Sequence, residues 1–176
     1  MIPDRQKLTV SDEEHFRLLD YPVIEDYPSL LFYIQRNQNF NTVVYEINYT
    51  PDQILNLNEP ILIHWLRYEE GVMVEKQPLN YIQKKLAYGY KFKVISNELV
   101  QFEIVSYDDI RFFLGKNKAD RYKVYFVENN INISLQSVYI FAEDLGVFPQ
   151  VKWAELFGIN SVTDEPFYKK IVFDEL

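Results

Sequence analysis

The sequence predicts a mainly β domain, an antiparallel meander forming a barrel or sandwich of about nine or ten strands with one or two short helices. Three observations predict it. Short runs rich in aromatic and β-branched residues recur from Leu30 to Phe173, with turn residues between them. Tyr and Phe supply 14 and 13 of the 176 residues, and such rings fill the interiors of sandwiches and barrels. Among the strand runs only one stretch, Pro78 to Tyr88, carries a helical apolar spacing, so no βαβ alternation exists.

Residues 1–29 read as a helix and a proline-containing arm packed on the domain, and residues 30–176 as one β-rich domain. Ser11-Asp12-Glu13-Glu14 is a capping-box pattern ahead of His15-Phe16-Arg17-Leu18-Leu19, which predicts the first short helix. Pro22 and Pro28 then disfavour helix through Tyr21 to Pro28. The runs Leu30 to Arg36 and Thr42 to Tyr49 are joined through a polar hairpin loop, residues 37–41. In the second run Val43, Tyr45, Ile47 and Tyr49 share one face, the signature of a half-buried strand. Ile61 to Tyr68 is apolar on both faces and is expected to lie centrally, covered on both sides.

Leu79, Ile82 and Leu86 predict a helix over Pro78 to Tyr88 with its apolar face on the sheet and Gly89 as its C-cap. Strand runs resume at Lys91 to Ser96, Leu99 to Tyr107, Ile110 to Leu114, Tyr122 to Glu128 and Ile131 to Phe141. Asn97-Glu98 and Asn129-Asn130 are tight-turn candidates, and sequential hairpins give a meander. Gln150 to Leu156 and Tyr168 to Phe173 complete the set, separated by a turn-rich loop at residues 158–166.

Several chemistries are excluded. No cysteine is present, so disulfides, thiolate metal sites and a cysteine nucleophile are impossible. A net charge of -8 argues against a nucleic-acid backbone as the main partner. The apolar runs are too short to span a bilayer, and the first residues lack the apolar core of a signal peptide, so a cytoplasmic protein is expected. An exported chain whose leader has been removed reads the same way. The five glycines form neither a phosphate-cradling loop nor a dinucleotide fingerprint, and no cofactor is expected. Asp108-Asp109, Glu143-Asp144 and Asp164-Glu165 are adjacent pairs whose side chains diverge, and no calcium loop or other metal site is expected.

The candidate site residues are His64, Arg67, Arg36 and Tyr45. His64, between Ile63 and Trp65, is either a general base or ligand or a hydrogen-bonded interior histidine. Arg67 falls on the face of Ile61, Ile63 and Trp65, and Arg36 ends a neighbouring strand on the face of Phe32 and Ile34. Together two guanidiniums can clamp a carboxylate or phosphate, unless each is taken by Glu46, Glu69 or Glu70 in a rim salt bridge. Lys84, Lys85, Lys91 and Lys93, interleaved with Tyr81, Tyr88 and Tyr90, form the basic concentration of an acidic chain. On a helix, Lys84 and Lys85 are also simply the solvated side. His15, beside Glu13 and Glu14, reads as a surface residue.

Asn41-Thr42-Val43-Val44-Tyr45-Glu46, Ile63-His64-Trp65-Leu66-Arg67-Tyr68 and the segment from Leu79 to Gly89 resemble a bacterial domain-of-unknown-function family common in Bacteroidetes. The resemblance extends from about Phe32 to Trp153 and brings no activity, ligand or catalytic residue with it. Many such relatives carry export signals.

Three functions follow from these residues. The first is a non-catalytic module binding a small, partly apolar, anionic ligand in a barrel or cleft. The second is a protein-interaction or accessory subunit, for which an exposed apolar patch at the arm from Tyr21 to Pro28 is the discriminating feature. The third is an enzyme in which His64 meets a carboxylate such as Glu46 across strands at an accessible cavity. Oligomeric state is not legible.

Overall fold

A computed structural model describes residues 21–37, 39–144 and 149–173. The expected helix around residues 11–19, His15 included, lies outside the described residues. The fold is mostly β, a curled mixed sheet of eleven strands forming a half-barrel with one short helix. The strands are β1 (Leu30–Arg36), β2 (Thr42–Ile47), β3 (Ile61–Glu69), β4 (Val72–Pro78), β5 (Tyr90–Ser96), β6 (Leu99–Ile104), β7 (Tyr107–Lys116), β8 (Tyr122–Glu128), β9 (Ile131–Asp144), β10 (Pro149–Asn160) and β11 (Pro166–Val172).

Two meanders build the sheet, β1 to β4 and β5 to β11. They meet where β1 runs parallel to β9, giving the order β4-β3-β2-β1-β9-β8-β7-β6-β5. The 14-residue β9 makes this junction possible: Ile131–Ser134 pair with β8, Ser137–Ile140 pair with β1, and β10 runs along the other edge. Two tight hairpins carry left-handed backbone at both turn residues, Glu70-Gly71 and the Asn129-Asn130 turn expected from sequence.

Phe32, Ile34, Val43, Tyr45, Ile47, Ile61 and Trp65 face inward from the first meander, and Val100, Phe102, Phe112, Leu114, Val124 and Phe126 from the second. Rings stack across this interior, with Tyr45 on Phe32 at 4.2 Å, Phe32 near Phe112 at 6.4 Å and Phe112 on Phe102 at 5.4 Å. The concave space is therefore filled by side chains rather than hollow. At one end the Tyr90 hydroxyl links the two meanders, accepting from the Ile61 N–H at 3.0 Å and donating to its carbonyl at 2.8 Å.

Three expectations need correction. β3 lies one strand in from the β4 edge and is not covered on both faces, because Leu62 is exposed. β4 was not expected at all. The segment over Pro78 to Tyr88 is a single turn, α1 (Tyr81–Gln83), continued by a π-helical turn at Lys84–Tyr88. It is pinned by buried Leu79 and Tyr88 at its ends, while Ile82 and Leu86 point to solvent instead of onto the sheet. Gly89 is not a left-handed cap either, with φ -65° and ψ 173°. Its role is close approach, since a Cβ there would overlap the Lys84 carbonyl.

The arm covers the outer face of β1 and β2. Ile24 packs with Leu30, Tyr33 and Val44, and Tyr21 packs against Tyr139 and Phe157. Asp26 and Arg121 form a bidentate pair at 2.6 and 2.7 Å, and the Gln35 side chain donates to the Pro22 carbonyl at 2.6 Å. Burial of Tyr21 and Ile24 means that the arm presents no broad apolar patch, although Val23 remains exposed.

Candidate functional site

Residues alternate across β3, and this parity separates the candidates. Ile61, Trp65 and Arg67 face the concave side, whereas His64 faces outward. Gln35, Thr42 and Leu66 form one cross-strand row, so Arg36 and Arg67 stand one residue beyond it on either side of β2. Trp65 lies between them. Its ring is 4.5 Å from the Arg67 guanidinium carbon and 5.8 Å from that of Arg36, with Tyr88 edge-on at 5.3 Å.

Each member of this group is held by a named contact. Asn80 and Gln83 cap one another at the start of α1, and the Gln83 side-chain oxygen also accepts from the Trp65 indole N–H at 3.1 Å. The Arg67 Nε donates to Gln77 Oε1 at 2.9 Å, and Gln77 in turn donates to Glu75 at 2.7 Å. Burial raises the Tyr88 hydroxyl above its ordinary range, against the opposing pull of the Arg36 guanidinium hydrogen-bonded to it. Among the described residues neither Arg36 nor Arg67 enters an ion pair, and the alternative of a salt bridge to Glu46, Glu69 or Glu70 is not what the geometry shows.

Tyr45 is also on the concave side but fully buried, its hydroxyl donating to the Tyr88 carbonyl at 2.6 Å. Its place is in the packed interior beneath the Arg36–Trp65–Arg67 group. Sequence reasoning did not single out Trp65, Gln77 or Gln83 as site residues, and named Tyr88 only as one of the rings interleaved with the lysines. Trp65 was within reach, because it lies two residues from Arg67 on the same strand face.

On the outer face His64 and Glu46 do meet across β2 and β3, with Nε2 to Oε1 at 2.9 Å. The Glu46 carboxylate also accepts from Ser29 Oγ at 2.9 Å and Lys76 Nζ at 3.1 Å. The His64 hydrogen bond is the largest influence on Glu46. With help from Ser29 and Lys76 it outweighs burial and lowers the carboxyl to about 2. Tyr27 also bonds to this carboxylate, and burial together with the neighbouring negative charge raises its hydroxyl above the usual range. Both carboxylate oxygens are engaged, and His64 is buried, so the pair fastens the arm to the sheet.

The main clefts lie elsewhere. One of about 810 Å³ is lined by Lys116, Lys123, Tyr125 and Gln136, and another of about 560 Å³ lies between β7, β8 and β11. No candidate residue lines either. Among the described residues no cluster of His, Asp and Glu could hold a metal ion, and no helix is long and apolar enough to cross a membrane.

No curated protein and no solved structure matches the chain. A family model does, over residues 32–170, a span that includes Arg36, Trp65 and Arg67 as well as both His64 and Glu46. By that match the chain belongs to the family described as a domain of unknown function, DUF4833.

Proposed function

We propose that this domain is a non-catalytic module that binds a small anionic ligand at the rim of the half-barrel, through Arg36 and Arg67. The observation that supports the reading is the pair of guanidiniums set on one Trp65 ring with no carboxylate partner among the described residues. A cation held over a ring keeps its N–H edge for a ligand, and two such edges suit a carboxylate or phosphate. The ligand sits at the rim, because stacked rings occupy the interior. Its apolar part is small, since Trp65 and Tyr88 are almost wholly covered.

Trp65 reports on this site. Trp153 is the other tryptophan, so a Trp153→Phe chain leaves Trp65 as the sole indole emitter. Acetate, benzoate and inorganic phosphate are titrated against its fluorescence. The expected result is a saturable change with one of them, weakened about tenfold or more by Arg67→Ala and by Arg36→Ala. Emission indifferent to all three anions, or a response that survives Arg67→Ala, would overturn the reading.

A further inference from the structure

The two ends of the free edge strand β4 differ in charge but share an exposed apolar surface. At the hairpin end Val72, Met73 and Val74 are 65%, 50% and 51% exposed, beside exposed Glu69 and Glu70. At the other end Tyr81, Ile82 and Leu86 of the helical turns are 74%, 66% and 67% exposed, beside exposed Lys84 and Lys85. Among the described residues none of these four charges has an ionic partner. Exposed apolar clusters rimmed by charge mark surfaces that meet another molecule.

We infer that β4 and its flanking turns form a two-fold interface with a second copy of this chain, the acidic hairpin tip of each copy seated on the basic helical turn of the other. Geometry and charge both lead to it. The seven residues of β4 separate the two patches by roughly 20 Å, too far to meet within one chain along an extended strand. A two-fold axis beside the middle of β4, perpendicular to the strand, lays it antiparallel to its copy and carries each patch onto its complement. The contact is isologous and closes as a dimer. β4 has a bulge at Val74, where Arg67 pairs with Glu75 and Tyr68 with Met73. Because a bulge breaks the regular row of edge N–H and C=O groups, the copies associate through side chains, not by extending the ladder.

The test is sedimentation equilibrium of the purified chain over a range of protein and salt concentrations. A monomer–dimer equilibrium that weakens with salt is expected. Reversing the tip (Glu69→Lys with Glu70→Lys) or the helical turn (Lys84→Glu with Lys85→Glu) should each weaken self-association about tenfold or more. Mixing the two reversed chains should restore dimers, because each tip then faces an opposite charge. Ile82→Asp with Leu86→Asp, both at exposed positions, should abolish the dimer while near-ultraviolet circular dichroism stays unchanged. A wild-type monomer at every concentration would overturn the inference, as would a mixture of reversed chains that stays monomeric. Capture of a monomeric chain by phosphatidylserine vesicles, lost on helix reversal, would also overturn it in favour of a lipid surface.

Discussion

The two faces of β3 treat their charged side chains in opposite ways. On the outer face His64 meets Glu46, and that carboxylate is shared with Ser29, Tyr27 and Lys76, so donors and acceptors are matched within the chain. On the inner face Arg67 and Arg36 lie against Trp65, Arg67 is bonded to Gln77, which turns Glu75 to itself, and neither guanidinium forms an ion pair among the described residues. A network that closes on itself stabilises the fold, whereas a cation pair left without its counter-ion is available to bind one. The contrast separates a fastening from a recognition surface more sharply than the residue types do, since each face contains groups that serve in catalysis elsewhere.

Mutation of the central group on each face tests this directly. Glu46→Ala leaves His64 and the arm hydroxyls of Ser29 and Tyr27 without their acceptor, and should cost about 3 kcal/mol in denaturant unfolding. Arg67→Ala, on a half-buried side chain with a single hydrogen bond to Gln77, should cost less than about 1 kcal/mol while removing the anion response. If Arg67→Ala proves as destabilising as Glu46→Ala, the inner face is structural too and the comparison fails.

Acid provides a second test of the outer face. The Glu46 carboxyl stands at about 2 in the fold against an ordinary 4.5, chiefly through His64. Because the folded carboxyl is the harder one to protonate, its contribution is fully present above about pH 4.5 and is lost as pH falls through that value towards 2. That side chain is only 13% exposed, and the contribution is on the order of 3 kcal/mol. Wild-type stability should therefore fall across this window, and the fall should be shallower in Glu46→Gln. Equal slopes in the two chains would assign acid sensitivity to other carboxylates.

Parity made much of this legible beforehand. Val43, Tyr45 and Ile47 alternate inward as read, and the odd separation of His64 and Arg67 already placed them on opposite faces. The same alternation brought Arg36 and Arg67 to one face, and the structure gathers them on Trp65. Long-range pairing was not legible: nothing local in Leu30–Arg36 says that its second neighbour is β9, about a hundred residues later and parallel. β4 escaped because Glu75, Lys76, Gln77 and Pro78 are poor strand formers, and the tight Glu70-Gly71 turn with pairing to β3 overrides that propensity. The helical spacing of Leu79, Ile82 and Leu86 misled for a related reason. Periodicity reports that a face is apolar but not that a second layer covers it, and here the segment is pinned at its ends with Ile82 and Leu86 left open.

The smallest expected effect concerns Lys76, which tests whether the outer network owes its strength to burial or to charge alone. Its side chain is 60% exposed and bonds to the same Glu46 oxygen that His64 holds. An exposed ammonium gains little from a partner that water already screens, and ordering its long side chain offsets part of that gain. Lys76→Ala should therefore cost only about 0.5 kcal/mol, well below Glu46→Ala, because Ser29 and His64 still engage the carboxylate. Urea unfolding of both variants in one buffer makes the comparison. A loss above about 2 kcal/mol for Lys76→Ala would mean that the carboxylate depends on an exposed cation, and the outer face would then be as open to exchange with external ions as the inner one.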